Sequence, residues 1–404
     1  MDLLPQLREI DQDFIKQSQT WAQFSDSTAN RYGYQQVLNG IYGIREKIGG
    51  VRAASDFERL WFEDMSHQLD VQEALAHHYH GKPTMPVVNL VDFACGAGTY
   101  QLVEDGFKNY DHESAWKITR EDSQRQKTSI PNNTREAHLS IEAYAPKVKA
   151  EILKLGVEQG FLPSHFDFPL DLALPGTYGR PFWNCELKRF YLGFDYFQCF
   201  EEGGVVRIDP SHAYAAAFHE ILGHASQQTH SEGLPQSLQF SRDIVMNIPS
   251  RVVYEGLALH RERMAFDWLR QNADRLGLKP DEIDLSERKF EFGNLMVGSE
   301  IVLSFLKERE HFEGLNTREY MEQLEDNQRT SFRFSKPFDA GWKSPCTIER
   351  AFYEICYPAG FRTVGNVIQE NGKSDDKRKL NASHATGLWG FKTYSRAVEY
   401  FLNQ

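Results

Sequence analysis

The stretch AAFHEILGHASQ, residues 216 to 227, sets two histidines five positions apart in an apolar, alanine-rich segment. In an ideal α-helix, residues i and i+4 lie about 40° apart around the axis, whereas i and i+5 lie about 140° apart. If His219 and His224 are to face one point, the helix must deform. A single wide turn, the π-bulge, absorbs one extra residue and recurs at functional sites. Gly223 falls inside the interval, where the lack of a Cβ relieves strain. The segment therefore predicts either a bulged helix that gathers both rings around a metal or a core helix with a satisfied polar patch. Burying two imidazoles and the Glu220 carboxylate within six residues is expensive without a partner, which favours the metal.

A hydrolytic zinc site generally has three protein ligands and one position left for water. His219 and His224 supply two. The segment SRVVYEGLALHRERM, just after Pro249, offers Glu255 in a second apolar helix, and 255 − 224 = 31 residues is enough for one helix to end and another to pack beside it. Glu232, Asp243 and His260 are alternatives nearby. His260 lies five positions past Glu255, about 140° round the same helix, so the two cannot both ligate without a second distortion. Glu262, seven past Glu255, shares its face and could orient a ligand histidine. Glu220 directly follows the first histidine, which suits a general base that points at the open side of the metal without binding it.

The rest of the chain narrows the function classes. Its 404 residues can bury a large core. A formal charge of −12, with no block of Lys and Arg, disfavours nucleic-acid binding. No run approaches the roughly 18 apolar residues of a membrane span, and the start MDLLPQLREIDQDF lacks a basic region followed by an apolar stretch, so a cytoplasmic protein without membrane contact is expected. The five cysteines (Cys95, Cys185, Cys199, Cys346, Cys356) are widely spaced without a CxxC pair, and read as buried thiols in a reducing compartment.

Up to about residue 160 the pattern is helical, as where Phe57, Leu60, Trp61, Met65 and Leu69 recur at steps of three and four. Between such helices, MPVVNLVDFACGAGTYQLV looks like a strand followed by a glycine-rich turn, similar to the first motif of S-adenosylmethionine-dependent methyltransferases. No second strand ending in an acidic residue follows it, so an ordinary buried helix start or turn is the better reading. From 165 to 210, HFDFPLDLAL, RFYLGFDYF and GGVVRIDPS read as strands. Further helices are predicted at 250–275, 281–311, 316–329, 344–356, 361–371 and 392–403, with NGKSDDKRKLNASH as a polar loop. His77, His78 and His80 in AHHYHGKP point in different directions and predict a surface loop rather than a second metal cluster.

HEILGH with downstream EGLAL resembles the gluzincin-type metallopeptidases that carry HExxxH in place of HExxH, and HEILGH itself looks like the HExxGH motif of dipeptidyl peptidase III. The combination HEILGH…EGLPQSL…YEGLALHRE is closer to the microtubule-associated tyrosine carboxypeptidases and their bacterial relatives. It is also similar to a bacterial family assumed to be metallopeptidases, with HExxPGH, an EGWALY segment and a late helix that FYEICYPAGFRTVGNVI would match. The resemblance runs from about 205 to 370. It implies one zinc ion per chain held by His219, His224 and Glu255, with Glu220 as base. Two departures stand out: HEILGH is one residue shorter than HExxPGH, and GFRTVG stands where that family has a tyrosine.

The fold expected is mainly α with a small β-sheet (α+β): a helical N-terminal region, 1–160, and a metallopeptidase-like catalytic region with a gluzincin-like core, 161–404. The function expected is a zinc-dependent hydrolase of a peptide or small peptide-like amide, working by metal-activated water with Glu220 as general base. Tyr353, Tyr357, Arg362 and His260 could stabilise an oxyanion or grip a substrate carboxylate. Arg362 in the cleft would give a carboxypeptidase preference. The strand GGVVRID could hold an extended substrate by strand addition. The alternatives are a metalloenzyme of small-molecule metabolism on the same scaffold, a methyltransferase, and a catalytically silent binding protein with structural histidines.

Overall fold

A computed structural model describes residues 4–25, 33–108, 112–173, 181–233, 247–292, 348–371, 376–386 and 389–404. The three- and four-residue spacing in the N-terminal region forms α1 (Leu4–Ser25), α2 (Tyr34–Gly49), α3 (Asp56–Tyr79), α4 (Val87–Cys95), α5 (Thr99–Lys108), α6 (His112–Thr128) and α7 (Arg135–Glu158). Ser55 and Glu58 start α3 with reciprocal capping bonds, the Glu58 N–H donating to Ser55 Oγ at 3.1 Å and the Ser55 N–H to Glu58 Oε2 at 3.3 Å.

The stretch from 165 to 210 forms β1 (Leu170–Ala173), β2 (Phe182–Asn184), β3 (Arg189–Gly193), β4 (Gln198–Glu202) and β5 (Val205–Asp209), with a 3-10 turn at Phe194–Tyr196 in the second half of RFYLGFDYF. The first three make a sheet in the order β1-β3-β2, with β2 antiparallel to β3 through Trp183↔Phe190. β4 and β5 are a hairpin turned by Gly203 and Gly204, both at positive φ. α8 (Ser211–Ala217) then runs without a break into a π-helix, Phe218–Ala225, and on into α9 (Ser226–Glu232). Beyond it lie α10 (Ile248–Gln271), α11 (Ala273–Leu276), α12 (Pro280–Phe292), α13 (Ile348–Asn371), α14 (Lys377–Ala385) and α15 (Tyr394–Leu402). The molecule is thus mostly helical with a small amount of sheet. None of the described helices is long and apolar enough to cross a membrane.

Two hydrophobic cores organise these elements. One joins the N-terminal helices to Ile248 and Val252 of α10, Phe352 and Ile355 of α13, and Val398 of α15. The other joins Ile141 and Ile152 of α7 to the strands, to Ile221 and Leu222 of the π segment, and to Leu259 and Phe266 of α10. Residues on both sides of 160 enter each core, so packing draws no line there. α10 serves both cores, which is why its buried residues run along nearly its whole length, the charged Glu255 and Arg261 among them.

Two expectations change and one holds. Residues 87–95 form a buried helix, the reading preferred to a strand: Val87, Leu90, Val91, Ala94 and Cys95 are buried at helical spacing. The strand that a methyltransferase motif requires is therefore not formed there. The polar run near the end is not all loop, because Asp376 caps a helix at Lys377–Ala385, accepting the Lys379 N–H at 2.9 Å. The two helices predicted around 344–371 are one, α13, which carries Pro358 inside it. Residues 293–311 and the helix predicted at 316–329 lie outside the described residues, as does Cys346. Cys95, Cys199 and Cys356 are buried free thiols and Cys185 is partly buried.

Glycines set how closely the central helices meet. A Cβ on Gly223 would lie 2.6 Å from Ala258 Cα, and one on Gly256 would lie 2.4 Å from the Gly360 carbonyl carbon. Gly223 therefore serves close approach of the π segment to α10, and Gly256 lets α13 cross α10 backbone to backbone. Gly256→Ala is expected to lower the urea midpoint by the equivalent of about 1–3 kcal/mol or more, because the backbone it meets cannot swing aside. Gly43→Ala, with nothing within 4 Å of the new methyl, should instead stabilise by about 0.4–1 kcal/mol.

Candidate metal centre

The wide turn does what the spacing demands. In a π-helix the backbone closes i→i+5 hydrogen bonds, so residues five apart share a face, and the His219 and His224 ring centroids are 4.9 Å apart. Phe218 packs its ring at 5.8 Å from Trp268 of α10, and Gly223 meets Ala258 one turn further on, so the segment is pinned along α10 from both ends. Glu255 of α10 then rises between the rings. Its Oε2 stands 3.7 Å from His219 Nε2 and 3.6 Å from His224 Nε2.

Glu220 completes a tight group with the histidines, each bringing one ligand-type atom within 4.8 Å of the others. Both carboxylates are thus near. Glu255 is the better placed third donor, since its oxygen lies almost equally far from both Nε2 atoms, while Glu220 Oε2 is occupied by the Trp183 N–H at 2.8 Å. His219 is oriented from behind, where its Nδ1 meets Glu262 Oε2 at 2.9 Å. His224 stacks on Tyr254 at 3.9 Å, and its Nδ1 is buried without a hydrogen-bond partner among the described residues.

Burial governs the electrostatics. It pushes the Glu220 carboxyl up to about 7, only partly opposed by His219, and the His224 imidazole down to about 3. Burial also opposes charge on His219, but the Glu255 and Glu262 carboxylates outweigh it and hold that imidazole well above its usual value. Glu255 moves the other way: the two histidines overcome its burial and keep it ionised.

Comparison of the chain with protein-family models, curated proteins and solved structures finds no match.

α13 lines the same region with Tyr353 and Tyr357, whose hydroxyls are 2.9 Å apart and both lie within the field of Glu255. Arg251 covers the Tyr353 ring at 4.3 Å. Arg362, expected in the cleft, is elsewhere. Its guanidinium donates to the carbonyls of Gly98 at 2.9 Å and Ala97 at 3.0 Å and to Thr99 Oγ1 at 2.9 Å, closing the glycine turn between α4 and α5. The reason is helical phase: five positions past Tyr357, it leaves α13 on another face. His260 is likewise taken up outside the centre, its Nε2 2.7 Å from the Phe361 carbonyl oxygen and its ring stacked on Phe361.

His77 and His80 close against Tyr34, one by a 2.7 Å contact to its hydroxyl and the other by stacking at 4.0 Å; they end α3 rather than lie in a loop. The strand beside Glu220 is β2, not β5, which pairs with β4. Two contributors have no signature in the sequence pattern. Trp183 acts through its backbone N–H, and Tyr254 acts by stacking, although its place directly before Glu255 was a usable hint.

Proposed function

We propose that this chain is a zinc-dependent hydrolase of peptide or peptide-like amide bonds, built on a gluzincin-like core. The observation that carries the reading is the buried convergence of His219, His224 and Glu255, with the Glu220 carboxylate alongside. Zinc suits this donor set: ligands about 2.0–2.2 Å from a tetrahedral ion stand about 3.4 Å apart, close to the 3.6 and 3.7 Å separations here. His219, His224 and Glu255 would hold the ion, which when bound supplies a Lewis acid to polarise the carbonyl and acidify a water.

Glu220 is the proton carrier. The Trp183 N–H fixes one of its oxygens, leaving the other to accept a proton from water and return it to the departing amine. An acid pushed to about 7 by burial is matched to that exchange near neutral pH. In a strand a residue's N–H and C=O leave the same edge, so the Trp183 carbonyl also faces this side. Because β2 is the edge of its sheet, that carbonyl can receive an extended substrate by strand addition. Tyr353 and Tyr357, both within the field of Glu255, would be the hydroxyl donors to a developing oxyanion.

Elemental analysis of the purified protein, paired with assay on a pool of short peptides, tests the reading. It expects close to one zinc per chain and zinc-dependent cleavage. A protein that holds no metal, or whose His219→Ala and His224→Ala variants keep all of it, overturns it. Glu262→Gln is expected to keep the fold while weakening zinc by about 10–100-fold in a competition with a chelator, since it only orients His219.

A further inference from the structure

Arg261, also on α10, is a buried cation without a counter-charge among the described residues. It is 3% exposed, and its guanidinium lies 4.0 Å over the Phe161 ring, with Nη1 3.5 Å from Met264 Sδ. Nε and Nη2, which together form the side-on fork of a guanidinium, are buried and have no hydrogen-bond acceptor among the described residues. The titratable groups its charge acts on are His230 of α9, His260 of α10, His384 of α14 and Tyr394 of α15. None is a carboxylate.

A second polar atom is orphaned in the same layer. His384 Nδ1 meets the Tyr394 hydroxyl at 2.8 Å, and that hydroxyl also lies 3.4 Å from the His384 carbonyl oxygen, while Nε2 is buried without a partner among the described residues. With the hydroxyl donating to Nδ1, the neutral ring carries its proton on Nε2.

Arginine does not shed its proton in proteins, and an unpaired buried charge is among the costliest features a fold can hold. The Phe161 face attracts the cation but accepts none of the fork's protons in line. A planar or tetrahedral oxyanion does, with two parallel N–H···O bonds.

We propose that the layer between α9, α10, α14 and α15 binds one small oxyanion, seated on the Nε–Nη2 fork of Arg261 with His384 as a further donor. The ligand is inorganic phosphate or sulfate, or the carboxylate of a small acid. The site is separate from the metal centre, because Glu262, the next residue along α10, turns away toward His219.

The test is thermal unfolding of the full chain, purified free of phosphate, in sodium phosphate, sulfate or acetate against sodium chloride at equal ionic strength. A saturable rise of several degrees over chloride is expected with at least one oxyanion, and which one responds separates the inorganic from the carboxylate source. Arg261→Met should abolish the rise and His384→Gln should shift it to higher concentration. Should Arg261→Met fail to fold, the His384→Gln titration is read alone, and its matching wild type overturns the proposal. If an anion already fills the site, ion chromatography of the denatured wild type should release close to one per chain. No oxyanion-specific rise and no released anion would overturn the proposal. So would a rise retained in Arg261→Met, including one lost only in His224→Ala, which would belong to the metal centre.

Discussion

Glu220→Gln should keep its zinc and lose hydrolysis by about 10²–10⁴-fold, the range for removing a positioned general base. The amide is the same size as the carboxylate, and its oxygen can still accept the Trp183 N–H, so the local structure has no reason to change. What the amide cannot do is take up a proton. Because burial places the Glu220 acid at about 7, wild-type activity should rise with pH as this group ionises and fall away below it, with a bound cation drawing that limb to lower pH. The limb should be absent from whatever activity Glu220→Gln retains. Near-normal turnover in this variant would remove Glu220 from the chemistry.

The other large effect should appear in the metal affinity itself. Glu255→Gln is expected to weaken zinc by orders of magnitude, because it replaces a carboxylate that both histidine Nε2 atoms face. His260→Ala should leave the affinity near wild type, since that ring is spent on Phe361. Titration against a competing chelator reads both variants in one experiment, and the reverse order would reassign the third ligand. Circular dichroism of the metal-free proteins separates lost binding from lost folding.

The part of this centre that was legible in advance follows from rigid geometry. Two histidines five apart leave a helix few ways to bring them together, and the chain adopts the wide turn. Pattern also sufficed for β3 and β5, an aromatic and a β-branched run next to Gly or Pro, and for β1, whose alternating leucines lie between Pro169 and Pro175. It failed where the deciding contact comes from elsewhere in the chain. In the polar run near the end it missed a local signal instead, the Asp376 cap three residues before Lys379. Arg362 could not be placed without knowing the phase of α13, and Trp183 contributes a backbone group that any residue but proline possesses. Gly223 was legible as an anomaly but not for its purpose, which is the contact with Ala258.

The wide turn at Phe218–Ala225 also matters beyond the candidate metal centre. Removing one residue from it would restore an ordinary helix, yet rotate everything after it by about 100°. The face that follows is heavily committed: Ser226 Oγ donates to the Phe161 carbonyl, Gln228 bridges the Trp183 indole and the Cys185 carbonyl, and His230 returns to Phe161. The extra residue thus works as a gear tooth that keeps two halves of one rod in mesh with different neighbours. A deletion there would leave a plausible pair of ligands on a helix whose second half no longer fits the protein.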